Sequence, residues 1–210
     1  MRKQLLNVAI TQFGTHGFAG TATRSIAKEA GTAMSSITYY FGGKEGLYLA
    51  CAEYIAASVN TRLDSTLASI ETTPPNTRAA ALNTLCSLVT EIAHIMLDGL
   101  PEHWSYFIAR EQQFPTMAFE RLWHGAMQRI ISVVIELIRH ARTDFSDDDA
   151  RYCAFSLWGQ AITLRTTRAI ACRTMQVDQL EQPITAVLLA RFIDNTRCMI
   201  ASGSPTDNLK

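Results

Sequence analysis

Between residues 23 and 44 lies a run of side chains suited to one kind of contact. Arg24 and Lys44 carry positive charge. Thr23, Ser35, Ser36 and Thr38 offer short hydroxyls, and Tyr39 and Tyr40 offer phenols. Cations and O–H donors pair with phosphate oxygens, and short hydroxyls let a helix approach base edges closely. The chain offers no matching set for catalysis. It has no His-Glu-x-x-His, no Gly-x-Ser-x-Gly, no phosphate-binding loop and no dinucleotide fingerprint. Its five histidines, His16, His94, His103, His124 and His140, are too far apart for a helical metal pair. The reading is therefore a non-enzymatic protein with neither cofactor nor metal.

The elements that must hold these residues follow from periodicity. Leu5, Leu6, Ala9, Ile10 and Phe13 give a first helix over residues 2–16, ended by Gly14 and Gly17. Thr21 or Thr23 is placed to cap a second helix over 24–30, with Ile26, Ala27 and Ala30 inward. Gly31 supplies a turn, and a third helix over 34–41 buries Ile37 and Phe41. Two short helices about a glycine turn are the pattern of a helix-turn-helix, whose second helix enters the DNA major groove. Gly42-Gly43 breaks the third helix, and Lys44 opens a fourth reaching about residue 70. Lys44 at a helix N-terminus is a ready phosphate clamp.

Pro74-Pro75 reads as a linker. Further helices are expected over 77–97, 102–113 and 115–141; an acidic turn at 144–148 then sits at the positive end of the next helix, which runs to about 172, and a last helix covers 183–202. No strand pattern appears. The fold class is all-α with about nine helices: a DNA-binding head at 1–46, a helical ligand-sensing and dimerisation body at 47–203, and a frayed tail at 204–210.

The chain of 210 residues is 48% hydrophobic and 18% charged, enough for a real core, with a formal net charge of zero. Residues 1–48 nevertheless hold five cations against two carboxylates, a net of +3, leaving −3 elsewhere. A small basic head on a mildly acidic body suits local phosphate contact. Cys51, Cys86, Cys153, Cys172 and Cys198 are scattered and odd in number, which points to reduced thiols in a cytoplasmic protein. The run 130–138 is broken by Ser132 and Glu136, so no membrane span is expected.

Phe13-Gly14, Gly17-Phe18, Thr23-Arg24-x-Ile26-Ala27-x-x-Ala30-Gly31, Tyr40-Phe41, Lys44 and Leu47 resemble the head of the TetR family of bacterial transcriptional regulators. Ile37 to Gly42, Leu47 to Ala52, and Phe107-Ile108-Ala109-Arg110-Glu111-Gln112 with Pro115-Thr116 are similar to its CecR-type branch. The resemblance implies a homodimeric, ligand-responsive DNA-binding protein. Such proteins are usually repressors, released by a small hydrophobic ligand and often tied to transport or drug-tolerance genes. It gives Arg24 a guanine edge or a phosphate to contact. The family often has serine where this chain has Ala33, leaving Thr32 to substitute as a cap. It commonly has tyrosine where this chain has Thr38, a departure that disappears in the CecR-type branch.

One head alone binds too weakly for specificity, so two must pair on a palindromic double-stranded operator. Phe155, Gly159 and Ile162 in the penultimate helix, and Leu188, Phe192 and Met199 in the last, form candidate dimer stripes. The small-molecule inducer pocket is expected among the middle helices, from Met96, His103, Trp104, Phe107, Arg110, Glu111, Phe114, Trp123 and Trp158. Arg110 and Glu111 either orient a ligand or form a structural ion pair. The competing reading, a helical protein-interaction adaptor without DNA binding, leaves the Arg24-to-Lys44 constellation unexplained.

Overall fold

The computed structural model describes residues 1–202, apart from the side chains of residues 98 and 102; the expected tail at 204–210 lies outside the described residues. Eleven α-helices and two π-helical turns make up the described chain, with no strand among them. They are α1 (Arg2–Gly20), α2 (Thr23–Glu29), α3 (Ser35–Phe41), α4 (Lys44–Thr72), α5 (Arg78–His94), α6 (Glu102–Gln113), α7 (Met117–Leu122), α8 (Gln128–Ala141), α9 (Asp147–Thr166), α10 (Arg168–Met175) and α11 (Ile184–Ala201). The π turns are Ile95–Gly99 and Trp123–Met127.

Two of the expected helices are thus each divided. The one expected over 115–141 is interrupted by the π turn, where the side-chain amide of Asn60 takes the Gly125 carbonyl. It also starts later than Pro115: Thr116 is the cap, accepting from the Ala118 amide at 3.1 Å. The one expected to follow the acidic turn and run to about 172 breaks at Thr167. There Thr163, Thr166 and Thr167 all bond back to carbonyls four residues earlier, a pattern that bends helices. Thr21 does not cap α2. Its hydroxyl donates to the carbonyls of Gln12 (3.1 Å) and Gly17 (2.8 Å), clipping the end of α1, and Ala22 occupies the cap position.

The described chain forms two compact units. The first comprises Met1–Arg62 with Leu100–Arg129; the second comprises Leu63–Gly99 and the chain from Ile130 onward. In the first, α1 packs on α2 and along α6. Its core is Leu5, Leu6, Ile10 and Phe13 of α1, Ile26 of α2, Ile37 of α3, Leu47 and Cys51 of α4, and Phe107 of α6. Phe41, expected to be buried, is only partly covered because it ends α3 beside Gly42. Gly14 allows α1 to meet α6, since a Cβ there would lie 3.0 Å from the Phe107 amide nitrogen.

In the second unit, α5 packs against α9 and α11. α8 buries Ile130, Val133, Val134, Leu137 and Ile138, the spacing of one helical face. By length and composition the segment Arg78–Leu97 is long and apolar enough to cross a membrane, a candidate that the sequence expectation of no span did not include. About half of it, 56%, is buried inside the protein, as befits a core helix. Arg168 donates to the Leu97 carbonyl at 2.8 Å, satisfying the π turn that ends this segment.

Arg142 ties α8 to the end of α11. It holds Asp144 through two nitrogens, at 2.9 and 2.7 Å, and donates to the Ile200 carbonyl at 2.5 Å and to that of Ser202. Its guanidinium also lies 3.9 Å over the Phe145 ring. The paired arginine holds the Asp144 carboxyl down to about 2, below its ordinary 3.8. A lowered folded-state value stabilises above the ordinary one and is lost on acidification. Thermal melts should therefore show Asp144→Asn less stable than the wild type at neutral pH, with the gap closing as pH falls from about 4 to about 2.

Candidate nucleic-acid interface

α2 and α3 are short, seven residues each, and are joined through Gly31 at φ +63°. Ile26, Ala27, Ala30 and Ile37 hold them to the unit's core, leaving the opposite face of α3 outward. Ser35 and Thr38 are exposed, Ser36 and Thr23 are half-buried, and Arg24 is exposed. Tyr39 is 83% exposed and Tyr40 42%, their rings edge to face at 5.0 Å. Thr32 does not cap α3. Its hydroxyl lies 2.9 Å from that of Ser36, and α3 starts without a side-chain cap.

Lys44 opens α4, and its ammonium sits 4.6 Å over the Phe18 ring. Arg2 lies 5.3 Å over Phe41 at the end of α3, a cation that spacing alone did not mark. Both contacts are of the weak cation–ring kind, worth about 0.5–1 kcal/mol at exposed sites, so the charges remain available. Between α3 and α4, Gly42 (φ +72°) and Gly43 (φ +129°) turn the chain back sharply. Gly46 then passes so near the end of α3 that a Cβ would lie 1.8 Å from the Phe41 carbonyl oxygen. Sequence reasoning missed Gly46; its one signal was glycine inside a helical pattern.

Behind this face lies a polar hub. Glu111 is 1% exposed; one of its oxygens accepts from the Tyr48 phenol at 2.5 Å. The other accepts from the Thr116 amide at 3.1 Å and hydroxyl at 2.8 Å. Burial and the Glu111 carboxylate push the Tyr48 phenol up, so it stays protonated and donates. Tyr48 also meets Phe13 (4.8 Å), Phe18 (5.1 Å) and Phe107 (4.9 Å) ring to ring. Arg110 lies against Gly17, where a Cβ would stand 2.8 Å from its guanidinium and φ is +74°.

The candidate pocket residues fall into several settings. In the first unit Trp104 and Phe107 are buried, Trp104 packing on Tyr54 at 5.5 Å. His103 and Arg110 are half-buried, and Trp123 stacks on Phe119 at 6.4 Å. Phe114 is 68% exposed, because it lies beyond the last turn of α6. Glu111 is fully engaged by Tyr48 and Thr116. In the second unit Met96 is half-buried in the π turn, and Trp158 lines a narrow apolar cavity of about 20 Å³ with Phe192. Of the dimer candidates, Phe155 is 77% exposed and Gly159 exposed. Ile162, Leu188 and Met199 are half-buried. Phe192 is 5% exposed and belongs to its own unit's core. Among the described residues no cluster of three His, Cys, Asp or Glu is arranged to hold a metal.

A helix-turn-helix with an outward hydroxyl face, followed by a long helix and an all-helical body, defines a DNA-binding transcriptional regulator. Residues 5–51 match the family of bacterial regulatory proteins called tetR. Residues 81–203 match the C-terminal domain of the HTH-type transcriptional dual regulator CecR. The chain is 33% identical over 179 residues to CecR of Shigella flexneri, covering 79% of each. The chain belongs to the TetR family, in its CecR-type branch, and is a regulator and not an enzyme. Among solved structures, a regulator from Pseudomonas aeruginosa PAO1 superposes with a TM-score of 0.66 at 17% identity, covering 95% of this chain and 88% of that one. FadR of Bacillus subtilis, in complex with stearoyl-CoA, does so with 0.62 at 13%, covering 93% and 97%. These two share the fold.

Gly46→Ala places a methyl group on the Phe41 carbonyl. It should destabilise the protein by about 1–3 kcal/mol, the usual range for overpacking, read as a lowered urea midpoint.

Proposed function

We propose that this regulator is a cytoplasmic homodimeric repressor whose hold on a palindromic operator is released by a small molecule. The observation that carries the reading is the exposed Ser35–Thr38–Tyr39 face of α3 beside Lys44 at the N-terminus of α4. Residues 1–46 form the DNA-binding domain, and residues 47–203 serve sensing and pairing. Arg24 and Thr23 at the start of α2 contact a phosphate or a guanine edge. Ser35, Ser36 and Thr38 approach base edges, while Tyr39, Tyr40 and Lys44 take phosphates.

Pairing is supported by α9. Tyr152, Phe155, Gly159 and Ile162 recur at helical spacing, and Tyr152 is 59% and Phe155 77% exposed. Large exposed apolar side chains in a row mark a surface that seeks a partner. Half-sites one turn apart need heads about 34–36 Å apart. An inducer releases DNA only if it binds another head spacing more tightly. The continuous helix α4, which begins at Lys44, is the element able to transmit that change.

The test is fluorescence anisotropy on a footprinted palindromic operator across a salt series. Lys44→Ala should weaken binding on every sequence and reduce the salt slope by ~1 per lost contact, hence about 2 per dimer. An unchanged slope removes Lys44 from the phosphate contacts. Phe155→Glu should give monomers by light scattering and lose operator binding; a variant that remains dimeric places the pairing surface elsewhere.

A further inference from the structure

On a face that otherwise offers hydroxyls, phenols and charge, one side chain has none of these. Met34 directly precedes Ser35 and is 56% exposed. Its backbone is already helical, at φ −57° and ψ −33°, and its carbonyl accepts from the Ile37 amide at 3.0 Å. Helical spacing therefore puts Met34 in line with Thr38, four residues on and also exposed. Ile37 is 1% exposed and turns inward. Met34 thus belongs to the outward face of α3 and not to the core.

Neither burial nor helix stability accounts for a methionine here. It occupies the cap position of α3, where Ser, Thr, Asp or Asn would accept an amide hydrogen. A thioether is a weak acceptor, and α3 starts without a side-chain cap. Ala33, just before it, is exposed as well. The hydroxyls of Thr32 and Ser36 lie 2.9 Å apart and engage each other, so part of the polar capacity of this turn is used internally. What faces outward where α3 begins is a flexible apolar arm. With no donor and no charge it has nothing to offer a phosphate oxygen. In the major groove the apolar group that a base pair presents is the thymine C5 methyl.

We propose that Met34 is a specificity-determining residue that reads a thymine methyl in each operator half-site. The inference rests on the reading that α3 faces DNA, and it adds apolar readout to the hydroxyl contacts proposed above.

The experiment is fluorescence anisotropy on the footprinted operator with thymines replaced by deoxyuridine, one position at a time in both half-sites. That exchange removes only the methyl group. At one or more positions the wild type should lose about fourfold per half-site, hence about fifteenfold in all, the effect of one buried methyl. Met34→Ala should bind the thymine operator weaker by about the same fifteenfold, and it should no longer distinguish thymine from uracil there. Its salt slope should match the wild type's, because no charge is lost. Its melting temperature should match too, since the position is exposed and makes no cap bond. Three results would each overturn the assignment: no thymine at which the methyl matters, wild-type affinity in Met34→Ala, or a methyl effect that persists in Met34→Ala. The Lys44→Ala salt series separates this from failure of the DNA face. A reduced slope there with an indifferent Met34→Ala keeps the face and rejects the methyl contact, whereas indifference of both variants rejects the two together.

Discussion

A carboxylate withdrawn from water must find donors, and Glu111 finds three. Leaving such a group short of one donor costs about 1–3 kcal/mol, and more for a charge. The donors come from Tyr48 of α4 and from the cap residue Thr116 of α7, while Glu111 itself belongs to α6. Three helices are thereby fixed to one buried point. Tyr48 extends the hold, because its ring meets Phe18, and Phe18 carries the Lys44 ammonium. The first turn of α7 cannot shift without changing the contacts of the ring that supports Lys44.

The DNA-reading face follows from this rigidity and is otherwise economical. The chain has no net charge, and its head carries an excess of only +3. Each neutralised phosphate contributes one increment of salt-dependent affinity, so a single head with three or four such contacts remains weak. Lys44 and Arg2 rest on aromatic rings, which holds them in place at small cost until a phosphate competes. In the proposed reading, specificity rests on Ser35, Ser36 and Thr38, whose short side chains let a helix approach base edges closely.

The three-helix head was legible because its signals are local: period-3.6 burial, a glycine with positive φ at residue 31, and a glycine pair after α3. The all-helical class and the acidic start of α9 were legible for the same reason. What escaped depends on partners distant in sequence. Thr21 looks like a cap by its position, but the kinked end of α1 offers it two carbonyls instead. Glu111 was recognisable as a charge needing a partner, yet nothing local distinguishes Tyr48 and Thr116 from Arg110 or a ligand. The pocket candidates were chosen as aromatics at helical spacing. That criterion selects core residues such as Phe107 as readily as lining residues.

The glycines within helical segments answer to different contacts. Glycine there costs about 1 kcal/mol relative to alanine, so a close approach must compensate. At Gly14, Gly46 and Gly125 it does: a Cβ would meet Phe107, Phe41 or Ala56 at 3.0, 1.8 and 2.7 Å. All three belong to the first unit, where they let backbones approach nearly to contact. Gly159 of α9 is different. It is exposed, and nothing lies within 4 Å of where its Cβ would be. Nothing among the described residues lies where its side chain would be. With Tyr152 and Phe155 exposed on the same helix, the proposed homodimer supplies the missing contact, a second copy approaching the α9 backbone closely. That supports the homodimer from the energetics of one residue, independently of the operator's symmetry.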